Sequence, residues 1–283
     1  MNMLKIKVPA TSANLSVGFD TLGIALNIYN EFTFEANNAD DVEAFDAKFR
    51  NDNMVLNSYK HFYQYYKIDY IPVKIIPTCI DIPSSRGLGS SASCIVAGVM
   101  AANIISGLKL PAAELLDLCA LIEGHPDNVL PALIGGLCAA FKTNGKYYFK
   151  KYCPSDSLKL YSLIPPFELK TELSRSVLPQ MYKREDVVAN LSRIVNLPSA
   201  FIDGDIELIK AIFDDKIHEP YRYKLIEHSL DVKKYFNEYA VSISGAGSSL
   251  LVIGVKDINI KEIYDFKIRK VLVDNNGVEI YEC

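Results

Sequence analysis

Pro83-Ser84-Ser85-Arg86-Gly87-Leu88-Gly89-Ser90-Ser91-Ala92-Ser93 is the stretch around which the rest of the chain is organised. Its two glycines let backbone amides turn toward an anion with no Cβ in the way. Two serines follow at the expected start of a helix over residues 91–106, where free amide donors and the helix dipole favour phosphate. Ala92, Ser93, Ala97 and Gly98 are small enough to let that helix pack close beneath a ligand. A glycine turn with Ser90 or Ser91 as an ordinary helix cap fits the same residues, and the loop by itself leaves both readings open. The GxxxxGKS/T pattern of P-loop NTPases is absent. Ala92 stands where a GxGxxG fingerprint would need its last glycine.

Upstream of the loop, residues 4–8, 24–36 and 70–77 read as strands, and residues 53–66 have helical spacing. Downstream, residues 110–123 read as a helix, with Pro111 near its start and Gly124 just past its end. Residues 135–142 and 146–150 form a hairpin around Thr143-Asn144-Gly145. Further strands are expected at 158–164, 239–244, 249–255, 268–273 and 278–281. Helices are expected at 184–195, 206–213, 224–236 and 258–265. This irregular order argues for α+β layers rather than βαβ alternation. A boundary near residues 151–157 would divide the chain into parts of 1–155 and 156–283.

The chain of 283 residues is 49% hydrophobic and 23% charged, an ordinary globular balance. A net charge of −4 without a basic stripe gives no electrostatic reason to bind nucleic acid. The first residues alternate like a strand and lack a signal-peptide core. The apolar run near residues 95–105 is too short to span a bilayer, so no membrane association is expected. Six cysteines (79, 94, 119, 138, 153 and 283) have no metal-like spacing and read as small hydrophobes in a reducing compartment, taken as the cytoplasm.

Pro-x-x-x-Gly-Leu-Gly-Ser-Ser-Ala is very similar to the phosphate loop of the GHMP kinases, the superfamily of galactokinase, homoserine kinase, mevalonate kinase and phosphomevalonate kinase. Pro9-Ala10-Thr11-Ser12-Ala13-Asn14-Leu15 and Ser244-Gly245-Ala246-Gly247-Ser248-Ser249 fit the same superfamily in order. Four blocks resemble the homoserine kinase branch: residues 9–20, Glu123-Gly124-His125-Pro126-Asp127-Asn128-Val129-Leu130-Pro131-Ala132, Arg175-Ser176-Val177-Leu178-Pro179 and His218-Glu219-Pro220-Tyr221-Arg222. The resemblance runs from residue 5 to about residue 255. Ser16-Val17 departs from it, standing where many relatives have Gly-Pro, and the segment from Glu123 to His125 is shorter than in some relatives.

The resemblance implies a two-domain α+β fold, with an N-terminal ATP-binding domain (1–155) and a C-terminal ferredoxin-like α/β sandwich (156–283). It implies transfer of phosphate from ATP with Mg²⁺ to the side-chain hydroxyl of L-homoserine, a step of threonine biosynthesis. The whole loop, Pro83 to Ser93, would hold the nucleotide, and the Ser91 hydroxyl and Glu123 carboxylate the metal. A zwitterionic acceptor needs cations for its carboxylate and an anion near its ammonium. Arg175 and Arg222 suit the first and Asp20 the second. Asn14, His125 and Asn128 can hydrogen-bond the substrate, with Asn128 at the reacting hydroxyl, and the resemblance places Thr171 in the same pocket. The alternatives are a GHMP kinase for another alcohol and a non-catalytic ATP-binding sensor. A homodimer is compatible with the sequence.

Overall fold

The computed structural model describes residues 3–43 and 53–282; Cys283 lies outside the described residues. The expected α+β order is present as two sheets with helices packed on them. In the first sheet β1 (Leu4–Ala13) runs antiparallel to β2 (Leu22–Ala36), with a register shift at Pro9/Ala10, where proline lacks the ladder donor. Strand β2 is long enough to serve two further partners. Its start, Leu22 to Ile24, pairs with β5 (Leu137–Thr143), and its end, Asn30 to Ala36, pairs with β4 (Val73–Ile80). Short β3 (Asp41–Val42) lies beside β4, and β6 (Lys146–Tyr152) completes the expected hairpin with β5.

Helices α1 (Met54–Tyr66), α2 (Ser90–Ile105), α3 (Ala112–Glu123) and α4 (Pro126–Ile134) share a core with this sheet. Gly98 lets α2 approach α1 closely: a Cβ there would sit 2.2 Å from the Val55 carbonyl oxygen. The second sheet is antiparallel, in the order β10 (Glu262–Ile263), β11 (Phe266–Val271), β7 (Lys159–Ile164), β9 (Leu250–Gly254), β8 (Ala240–Ile243).

Successive side chains of this second sheet point to opposite faces. Leu160, Ala240, Leu251 and Ile253 join a core with β1 and β2. Tyr161, Leu163, Val241, Leu250 and Val252 build a separate one on the other side. The helices of this part are α5 (Thr171–Ser176), α6 (Arg184–Ile194), α7 (Leu197–Asp203), α8 (Ile206–Ile212), α9 (Glu219–Arg222) and α10 (Ser229–Tyr235). The last strand, β12 (Glu279–Glu282), returns to the first sheet and pairs with the outer edge of β1.

Several elements differ from expectation. The helix expected over 224–236 is a 3₁₀ turn followed by α10, broken where His228 adopts a φ of +57°. No helix forms over 258–265, where the chain contributes β10 instead. Helix α4 is not among the expected elements, and Pro131 lies inside it. Pro126 at its first turn is favourable, whereas Pro131 removes the helical donor to the Asp127 carbonyl. Gly23 of β2 lies against that oxygen, where a Cβ would come within 1.7 Å. Cys119 and Cys138 are buried as expected, but Cys79 and Cys153 are exposed.

Candidate active site

The three blocks of the superfamily resemblance interlock through backbone contacts. Thr11 N donates to Leu88 O at 3.1 Å, Gly245 N to Ala13 O at 3.1 Å, and Ser249 N to Arg86 O at 3.1 Å. Ser244 Oγ donates to Gly87 O at 2.6 Å. Gly87 (φ +71°) and Gly89 (φ +69°) make this convergence possible. A Cβ on Gly87 would lie 2.1 Å from Ser244 O, and one on Gly89 would lie 2.0 Å from Thr11 Oγ1. Gly89 is the N-cap of α2 and no side chain caps that helix, so Ser90 and Ser91 are not acting as caps. The first-turn amides are therefore left to an anion.

A cavity of about 750 Å³ opens at this junction. Asn14, Asp20, His125, Asn128, Thr171, Arg175 and Arg222 all line it, as do Ser91, Glu123 and the loop residues Ser84, Ser85, Arg86, Gly87, Gly89 and Ser90. Pro83, Leu88, Ala92 and Ser93 do not line it. Leu88 and Ala92 are buried in the core, and Ser93 Oγ donates to Ser90 O at 2.8 Å while accepting from Asn30 Nδ2 at 2.9 Å. The Arg86 guanidinium turns to the backbone oxygens of Pro165 and Pro166, fastening the loop to the second part of the chain.

Ser91 Oγ donates to Glu123 Oε2 at 2.6 Å, joining the first turn of α2 to the end of α3. Burial raises the Glu123 carboxyl above its ordinary pKa, against the pull of the Ser91 hydroxyl and His125. An oxygen-seeking divalent cation fits this hydroxyl–carboxylate pair, which also needs a positive charge to offset its burial. His125 and Asp127 are hydrogen-bonded to each other. Burial works against the charged imidazole, but the Asp127 carboxylate outweighs it and raises the His125 pKa. Thr11 Oγ1 donates to Asn128 Oδ1 at 2.8 Å, so the Asn128 amide nitrogen is the end left for another acceptor.

Arg175 grips Asp20 through both guanidinium nitrogens, Nη2–Oδ1 at 2.6 Å and Nη1–Oδ2 at 3.1 Å. That bond raises the Arg175 pKa. Arg222 is only 1% exposed, and among the described residues it has no ion pair. Its Nε donates to Ser174 O at 3.2 Å and its Nη1 to Gly245 O at 3.2 Å. Burial, followed by repulsion from Arg175, pushes its pKa down to about 10, which leaves it charged at neutral pH.

Sequence reasoning missed two features. Phe19 carries both guanidinium groups over its ring, Arg222 at 5.0 Å and Arg175 at 5.6 Å from the centroid. Phe19 lies within residues 9–20, where an aromatic beside Asp20 was the available signal. The cavity also extends between Phe32, Met54, Val55, Pro77, Ile80 and Cys94, an apolar slot suited to a flat base. These residues come from four elements and read in sequence like any core residue.

Residues 53–136 match the family described as GHMP kinases N terminal domain. A protein of Clostridium acetobutylicum named homoserine kinase is 40% identical over 296 aligned positions, covering 98% of this chain and 100% of that protein. The chain belongs to the homoserine kinase family. A crystal structure of homoserine kinase from Cytophaga hutchinsonii superposes with a TM-score of 0.86 at 27% identity, covering 99% of this chain and 98% of that one. Phosphomevalonate kinase from Streptococcus pneumoniae, at 14% identity and a TM-score of 0.71 (90% of this chain, 92% of that one), shares the fold. Homoserine kinase family membership agrees with a loop, a charge set and an apolar slot that open on one cavity.

Proposed function

We propose that this protein is a homoserine kinase, transferring the γ-phosphoryl group of ATP to the side-chain hydroxyl of L-homoserine to give O-phospho-L-homoserine and ADP. One observation carries this reading: Arg222, a buried guanidinium without a carboxylate partner among the described residues, opens on the same cavity as a glycine-rich helix N-terminus. The apolar slot takes the adenine, and the amides of Gly87 to Ser91 take the phosphates. Arg222 and Arg175 receive the acceptor's carboxylate, and Asp20 receives its ammonium. Asn14, His125 and Thr171 surround the acceptor, and the Asn128 amide directs its hydroxyl toward the γ-phosphorus.

Ser91 and Glu123 would hold Mg²⁺, which neutralises phosphate charge when bound. Phosphoryl transfer passes through a loose transition state, so alignment and charge neutralisation supply most of the rate. The new bond joins the acceptor oxygen to the γ-phosphorus as the bond to the β-phosphate oxygen breaks. The hydroxyl proton passes to a phosphate oxygen or to water, with no side-chain base in the step. Mevalonate carries a carboxylate without an ammonium and would leave Asp20 unsatisfied. A coupled ADP-release assay with homoserine, mevalonate, galactose and shikimate tests the reading. Turnover confined to homoserine is expected. Preference for another alcohol, or ATP binding without any turnover, would replace it.

A further inference from the structure

The block His218-Glu219-Pro220-Tyr221-Arg222 contributes Arg222 to the cavity, and the role of its first residue follows from what surrounds the imidazole. His218 has no exposed surface. Its Nε2 lies 2.7 Å from the Ser16 carbonyl oxygen. A carbonyl only accepts, so Nε2 carries the proton. Its Nδ1 lies 3.2 Å from Arg222 Nη1. A guanidinium only donates, so Nδ1 is bare. The two neighbours together select one neutral tautomer. Asp215 Oδ2, 3.7 Å from Nε2, is already engaged by the backbone amides of His218 and Glu219 at 2.7 Å each.

The same ring stacks on Phe19, with centroids 5.1 Å apart and planes at 24°. Phe19 precedes Asp20, and the loop that carries both is conformationally costly. Asn14, Leu15 and Ser16 all have positive φ (71°, 44° and 64°) without being glycine, as does Asp20 at 54°. Positive φ is unfavourable for a residue with a Cβ, so the loop holds this shape only where outside contacts fix it. His218 makes two of those contacts, the bond to Ser16 O and the stack on Phe19.

We propose that His218 is a positioning residue of the acceptor site. As the neutral Nε2–H imidazole it fixes the Asn14–Asp20 loop with one nitrogen and aims the Arg222 guanidinium with the other. It thereby sets the spacing between the groups that receive an acceptor's ammonium and carboxylate. This rests on the reading of the cavity as an amino-acid alcohol site, and the measurements separate the two.

In His218→Ala the KM for homoserine should rise about tenfold, the loss of one hydrogen bond to a charged group. The KM for ATP should stay unchanged and kcat should fall less than about threefold. His218→Asn, whose Oδ1 can stand where Nδ1 stands, should recover most of the homoserine KM. ¹⁵N NMR of the wild-type protein's histidines should show His218 protonated at Nε2 and bare at Nδ1. This last readout requires neither a folded variant nor turnover of homoserine, so it stands if the substrate assignment fails. The proposal is overturned by an Nδ1–H or imidazolium signal for His218. It is equally overturned by an unchanged homoserine KM in His218→Ala, or by an asparagine variant no better than alanine.

Discussion

Arg222 and Asp127 are both buried and both face the cavity, yet substituting them should give opposite results. Among the described residues Arg222 bonds only neutral groups, and the proposed function gives its charge to the acceptor's carboxylate. Arg222→Ala should raise the KM for homoserine by about a hundredfold, the scale of a charge-assisted bond inside a dry site, with a smaller effect on the KM for ATP. Steady-state kinetics with each substrate varied checks this, and an unchanged homoserine KM removes Arg222 from the carboxylate site. The Asp127 carboxylate, by contrast, is already taken up by His125. Asp127→Asn should keep kcat within about tenfold of the wild type. A fall of about a thousandfold would instead mark it as the general base. At this scale sequence reading reached Asp20, Asn128, Arg175 and Arg222, which carry distinctive chemistry and line one cavity. It failed for Phe19 and the apolar slot, whose residues have no chemistry separable from packing.

Among the elements, α2 decides most, since it carries the loop's serines at one end and packs against α1 along its length. Gly98 lies in the middle of that packing. Helix propensity alone predicts that Gly98→Ala stabilises by about 1 kcal/mol. The added Cβ would meet the Val55 carbonyl at 2.2 Å and the Tyr59 amide at 2.9 Å, and backbone atoms cannot swing aside. Overpacking costs about 1–3 kcal/mol against that gain, so the net effect should be a loss of up to about 2 kcal/mol, read as a Tm lower by up to about 4 °C. An unchanged or higher Tm would show that the two helices can separate without cost. Most strands and the long helices were legible from period and turn chemistry. Helices α4, α5 and α7 were not, because they are short and α4 contains an internal proline. Tertiary packing holds such elements where local preference does not.

At the scale of the whole molecule, Glu219 ties three regions together. Its carboxyl accepts from Ile243 N at 2.8 Å and Tyr223 Oη at 3.2 Å, and Ser16 Oγ approaches to 3.5 Å. Burial lifts its pKa from 4.5 to about 7. With the folded value above the unfolded one, its contribution to stability is fully present below pH 4.5 and is lost as pH rises through about 7. Glu219→Gln cannot ionise and should escape that loss, which is on the order of 3 kcal/mol at most. The Tm of the variant relative to wild type should therefore climb between about pH 5 and pH 8 and then level off. A constant difference would mean that Glu219 titrates normally.

The Asp20–Arg175 bridge joins the loop after β1 to helix α5. Its side chains are 35% and 37% exposed, so it is worth about 1 kcal/mol at most and is easily given up. An incoming molecule with only a negative end could claim Arg175 but would strand Asp20, and one with only a positive end would do the reverse. In the proposed acceptor site the bridge would act as a two-key lock, releasing its halves together only to a visitor that brings both charges at the right separation.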